Sequence, residues 1–378
     1  MKDIVLLFLK LGTIAFGGPA AHIAMMEEEV VKKRQWISHE YFLDMLSATN
    51  LIPGPNSTEM AIHIGYVRAG WRGLVAAGLC FILPSLIITL LLAHLYVTYG
   101  STPQLGSFVS GVRSAIIAVI AAAVFRLAKP VLKNRFMVVL GVLVLALNLL
   151  GVDEILLLFG AAAAGLIRSY RDQLRKTVTS LIVLSPLLSA PILTSAAGTG
   201  IAAGSATLAG LGLFFLKVGS ILYGSGYVLV AFLQGGLVDS RHWLTHTQLL
   251  DAVAVGQFTP GPVLSAATFI GYTILGLPGA AVATAGIFLP SFVFVLISSP
   301  FIPKLRKSWL ARGFLDGANA ASLGLMLAVT VFLAGSSLTG ISSWGIFLSA
   351  MGAVRFWNLN TAWIVIGAAV LGWLFSLQ

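Results

Sequence analysis

The chain has 378 residues, 58% hydrophobic and only 10% charged, with a mean hydropathy of +0.97. A soluble domain carries about 25% charged residues, so this composition excludes a soluble protein and points to a multi-pass membrane protein. The net charge of +10 comes from basic residues in short loops, the pattern of membrane topology rather than of nucleic-acid binding, and the single cysteine, Cys80, excludes an internal disulfide.

The first apolar run, Leu6–Phe16, carries Lys10 near its centre. Lys2 ahead of it gives the look of a signal peptide. No clear small-residue cleavage site follows, and the run recurs inside the chain, so it is read as structure. It breaks at Gly17-Gly18-Pro19. Glu27, Glu28 and Glu29 then lie beside Lys32, Lys33 and Arg34, ahead of Trp36 and Asp44. A second break, Pro53-Gly54-Pro55, interrupts another apolar stretch. Proline lacks an amide donor and clashes with the preceding turn, so it ends a helix. Asn56-Ser57-Thr58 after it can cap a half-helix and offer side-chain donors, and Glu59 follows.

Four apolar segments come next, near 74–92, 116–124, 136–150 and 153–167. The last two are short for full spans at about 1.5 Å per residue. Arg168, Arg171, Arg175 and Lys176 mark a cytoplasmic linker, and one further apolar segment, 178–193, follows it.

The chain then repeats itself. FLKLGTIAFGG from Phe8 matches FLKVGSILYGS from Phe215. In the same register Trp36 meets Trp243, Asp44 meets Asp251 and Pro53-Gly54-Pro55 meets Pro260-Gly261-Pro262. After one deletion Gly65 meets Gly271, Pro84-Ser85 meets Pro290-Ser291 and Gly111 meets Gly317. So many Gly, Pro and Trp matches in one register indicate duplication. The units are 1–170, a first transmembrane repeat; 171–205, a linker with a connecting helix; and 206–378, a second repeat.

The matched loops exchange their charge. Arg68 and Arg72 correspond to neutral Ile274 and Pro278, and Lys129, Lys133 and Arg135 to the uncharged stretch 335–341. Conversely, uncharged 99–103 corresponds to a stretch holding Arg306 and Lys307, and acidic 151–154 to a loop near Arg355. The positive-inside rule then orients the copies oppositely. The expected fold is an all-α polytopic membrane protein, an inverted-topology repeat with helices broken at the GGP and PGP motifs. Whether the broken regions cross or fold back is open, though Lys32–Arg34 favour hairpins returning to the cytoplasm.

Non-helical backbone at membrane depth is tolerated only inside protein or beside a watery cavity. Inverted-repeat transporters point half-helix N-termini at an anionic substrate near the midplane. The candidate binding residues are therefore Gly17, Gly18, Pro53, Gly54, Pro55, Asn56, Ser57 and Thr58, with Gly224, Ser225, Thr259, Pro260, Gly261, Pro262 and Ser265 in the second repeat. Lys10 and Lys217 are paired between the repeats and are candidates for anion contact, or they snorkel near an interface. Asp44 and Asp251 are read as helix caps near Trp36 and Trp243, with lysine neutralisation or proton carriage as alternatives. Glu59 is a candidate proton carrier or lysine partner. Arg113 reads as a snorkelling interface residue, and His22, His63 and His94 as structural histidines. No spacing suits a metal, no cofactor motif appears, and neither HExxH nor a paired aspartate motif supports an enzyme.

FGGPAAHIAMMEEEVV, WISHEYFLDMLSATNLIPGPNSTEMAIHIGY and FILPS resemble the N-terminal half of the chromate ion transporter family. KVGSILYGSGYVLVAFL, QFTPGPVLSAATFIGY and FLPS resemble its C-terminal half, so the resemblance is to the two-domain, long-chain form. It implies an inner-membrane exporter of chromate, with sulfate as the chemically similar competitor. Its motifs map onto Phe16–Pro19, Pro53–Pro55 and Pro260–Pro262. The second repeat reads Tyr223-Gly224-Ser225-Gly226 in place of FGGP, so the half-sites are unequal. Chromate and sulfate are tetrahedral dianions, suited to lysines, hydroxyls and half-helix amides without a metal. The expected partners are such an oxyanion and the bilayer. Uptake of sulfate or another oxyanion and a passive anion channel remain alternatives on the same scaffold, and a homodimer is left open.

Overall fold

A computed structural model describes residues 1–16, 18–99, 103–178, 205–223, 226–299, 308–357, 359 and 361–376. The connecting segment 178–193 falls almost wholly outside them. The described residues form helices and no strands. Four helical stretches among them are long and apolar enough to cross a membrane: Asn56–Tyr99, Ser110–Val131, Val263–Ser298 and Trp309–Ser337.

Apart from the two long helices that begin at the PGP motifs, the helices of the broken regions are too short to cross. In the first repeat, α1 spans Lys2–Ile14 and α2 spans Pro19–Glu27, extended by a wider turn to Lys33. Helix α3 is His39–Thr49 and α4 is Asn56–Tyr99, kinked at Ala69 and Gly70. The chain folds back at each break. The Lys10 Nζ lies 2.9 Å from Glu29 across the first break, which two helices running on in line could not achieve. Arg68, at the kink of α4, lies over the Trp36 ring ahead of α3. Two hairpins result, with Lys32–Arg34 and Arg68 at their open ends and the GGP and PGP motifs at their tips. Basic ends of this kind are the ones the positive-inside rule expects on the cytoplasmic side.

Helices α5 (Pro103–Val131), α6 (Arg135–Leu149) and α7 (Glu154–Val178) complete the repeat. The second repeat follows the same plan. It has α8 (Leu208–Ile221), α9 (Leu229–Leu233), α10 (His246–Phe258) and α11 (Ala266–Ser298), the last kinked at Leu275 and Gly276. Then come α12 (Trp309–Ser337), α13 (Ile341–Trp357) and α14 (Thr361–Ser376). Even the strained positions are duplicated: Gln35 and His242, matched in sequence, both have positive φ.

The copies run in opposite directions. His94, near the far end of α4, hydrogen-bonds the Tyr272 hydroxyl beside the kink of α11, at 2.8 Å. Reciprocally, His63, beside the kink of α4, bonds the Ser299 hydroxyl just past the far end of α11, at 3.1 Å. Parallel repeats would have set kink beside kink. The short helices work as pairs, each packed on the other repeat: α6 and α7 lie on α12, and α13 and α14 on α5. Small residues allow close approach; a Cβ on Gly165 would lie 2.8 Å from the Gly317 nitrogen.

Candidate functional site

The four hairpin tips meet in the interior. There the first helix of each repeat ends with carbonyls that have no partner within the helix. The other repeat supplies one. The Gly54 amide donates to the Leu222 carbonyl at 2.8 Å, and the Gly261 amide donates to the Ala15 carbonyl at 2.9 Å. Both glycines hold positive φ, 141° and 90°, so the PGP turns can present these amides because their middle residue has no side chain. The turns also touch the matched serines of the opposite repeat. A Cβ on Gly54 would meet the Ser291 hydroxyl at 2.6 Å, and one on Gly261 the Ser85 Cβ at 3.0 Å.

A cavity of about 380 Å³ opens beside the first PGP turn. Gly18, Gly54, Pro55, Asn56 and Ser57 line it from the first repeat, and Tyr227, Val263 and Leu264 from the second. Helix α4 begins at Asn56, so its amide end and the positive pole of its dipole open here. Arg126 of α5 also lines the cavity together with Tyr227, whose hydroxyl donates to Gln257 at 3.3 Å. Among the described residues the lining holds one cation and no carboxylate. Glu59 lies just behind: it is fully buried, its carboxyl oxygens have no hydrogen-bond partner among the described residues, and a Cβ on Gly54 would run into that carboxyl. Such a site suits a small anion that accepts from a guanidinium, hydroxyls and free amides.

The profile of the chromate transporter family matches residues 2–166 and again 209–373. The chain belongs to the chromate transporter family. It is 34% identical to a chromate transport protein of Cupriavidus metallidurans, over 98% of this chain and 92% of that one. It is 32% identical to a chromate transport protein of Pseudomonas aeruginosa (97% and 90%) and 31% to a probable chromate transport protein of Synechococcus elongatus (99% and 95%). No solved structure matches. This chromate transporter family member is thus a multi-pass protein of the cell membrane, built from two halves.

The geometry brings together part of the expected set. Gly18, Gly54, Pro55, Asn56 and Ser57 share the cavity. Pro53, Thr58, Thr259, Pro260, Gly261, Pro262 and Ser265 are buried around the tips but do not line it. Gly17, Gly224 and Ser225 lie outside the described residues. Lys10 and Lys217 are absent from the lining. Lys10 sits at an exposed position and pairs with Glu29, to which Arg34 and Lys33 also bind. Lys217 is likewise exposed, with no ion-pair partner among the described residues.

Two expectations need correction. Asp44 and Asp251 are not helix caps, because each lies well inside its helix. The caps are Ser38, accepting from the Tyr41 amide at 3.2 Å, and Thr245, in a full capping box. Arg113 does not snorkel: it makes a two-pronged pair with buried Asp251, at 2.7 and 2.8 Å, and Tyr96 donates to the same carboxylate at 2.7 Å. Sequence reasoning missed Arg126, Tyr227 and Asn50 in the cavity. Arg126 matches Phe332 in the second repeat, so a search for paired residues passes over it.

Proposed function

We propose that the chain exports chromate from the cytoplasm and that the dianion rests in the Arg126 cavity. The observation that carries this reading is a cavity between inverted tips, lined by a helix amide end and one guanidinium and by no carboxylate among the described residues. Lys129, Lys133 and Arg135 follow Arg126 along the chain, so the cavity lies toward the cytoplasmic end of α5. An inside-negative potential favours expelling a dianion by about 2.3 kcal/mol per charge per 100 mV. Glu59, at the back of the Gly54 turn, is the proposed proton carrier where transport is also coupled to protons. Sulfate, of the same shape and charge, is the proposed competitor. The working units are the repeats 1–170 and 206–378 joined by 171–205, and the chain moves its substrate without transforming it.

Everted and right-side-out vesicles test the reading. Everted vesicles energised interior-positive are expected to accumulate chromate, with sulfate competing. Accumulation by right-side-out vesicles under an interior-negative potential instead would reverse the direction. Large single-channel currents in a planar bilayer would replace the carrier with a channel.

A further inference from the structure

Arg113 and Arg126 stand on one helix, about 20 Å apart at 1.5 Å per residue. Arg126 opens on the cavity between the hairpin tips. Arg113 opens on a second cavity, of about 410 Å³, toward the other end of α5. Hydroxyls dominate its wall: Ser114 of α5, Thr247 of α10, and Ser337, Thr339 and Ser342 around the turn from α12 to α13. No carboxylate lines it among the described residues. The loops at this end of α5 and at the α12–α13 turn are uncharged, which puts this cavity on the outer face.

Arg113 also supplies an ion pair between the repeats. Its two-pronged pair with Asp251 joins α5 of the first repeat to α10 of the second, and Asp251 itself is buried. A guanidinium offers five donors in a planar fork that fits a carboxylate or a tetrahedral oxyanion alike.

We propose that the outer cavity is a second oxyanion station, which receives the tetrahedral dianion after it leaves Arg126, and that the dianion competes there with Asp251 for Arg113. This rests on the export reading. A bound dianion draws the guanidinium from the carboxylate and so loosens a contact that holds the repeats together. Occupancy of the station then favours one arrangement of the repeats over another, which is the differential binding that a ligand-driven conformational change requires.

The test is site-specific thiol protection in right-side-out vesicles. With Cys80→Ser removing the native thiol, Thr339→Cys reports on the cavity wall through a membrane-impermeant methanethiosulfonate. Sulfate is added before labelling, or chromate only during the labelling pulse, with chloride as control. At ten times its dissociation constant a dianion fills about nine-tenths of the sites, so labelling is expected to slow about tenfold. Arg113→Gln alone strands a buried carboxylate. The double variant Arg113→Gln/Asp251→Asn keeps the pair neutral, and it is expected to lose the protection. Labelling indifferent to both dianions, in vesicles that do transport chromate, overturns the station and leaves export standing. Equal protection in the double variant overturns the role of Arg113. Protection without any chromate transport keeps the station and removes the export reading.

Discussion

The Gly54 amide lies 2.8 Å from the Leu222 carbonyl in the opposite repeat, and its sequence counterpart Gly261 makes the mirrored bond to Ala15. Each broken helix is thereby completed by the other half of the molecule. Backbone groups that lipid could not satisfy are paired across the interface between repeats.

Gly54→Ala and Gly261→Ala are expected to lower the thermal stability of the detergent-solubilised protein. The left-handed conformation alone costs a residue with a side chain about 1–2 kcal/mol, and at Gly54 the new methyl also meets the Ser291 hydroxyl and the Glu59 carboxyl. Gly335→Ala is the control. It lies in α12 with open space where the Cβ would go, and it should unfold at the parental temperature or slightly above. Melting followed by size-exclusion chromatography measures all three.

Arg126→Gln should weaken chromate binding by about tenfold or more, the worth of a hydrogen bond to a charged group. Arg126→Lys keeps the charge but not the fork and should fall between. Lys10→Ala and Lys217→Ala, whose side chains lie outside the cavity, should bind as the parent does. Equilibrium dialysis with labelled chromate ranks the four. Parental binding by Arg126→Gln would remove the cavity as the binding site.

Arg113→Ala should destabilise the protein by about 3–5 kcal/mol, because it leaves Asp251 buried without its cation. Combining it with Asp251→Asn should recover part of the loss. A double-mutant cycle on melting temperature reads the coupling directly.

Glu59→Gln should bind chromate as the parent does but lose the response of transport to an imposed pH gradient. Transport driven by a potassium-valinomycin potential should persist. Stopped-flow efflux from proteoliposomes under the two driving forces separates the effects. A full pH response in the variant would move the coupling away from Glu59.

Much of the architecture was legible in the residues themselves. Hydropathy marked the apolar segments, prolines and glycines marked the breaks, the repeat register paired them, and exchanged loop charges oriented the halves. These are local or periodic properties, imposed by the bilayer on each segment separately. The fold-back of the hairpins was not legible, since a broken apolar stretch of that length can either cross or return. The pairing of Lys10 with Glu29 and the stacking of Arg68 on Trp36 decided it.

The site divides along the same line. The sequence alone marked both PGP turns as breaks that need protein around them and Asn56-Ser57-Thr58 as the start of a helix, which is where α4 begins. Only the tertiary structure chose the charges around it. It set Lys10 and Lys217 outside the cavity, brought Arg126 in from a helix some seventy residues further on, and joined Arg113 to Asp251 across the two repeats. The physical reason is that hydropathy and backbone preference belong to each residue and its neighbours, whereas the partner of a buried charge is set by which helices the fold packs side by side.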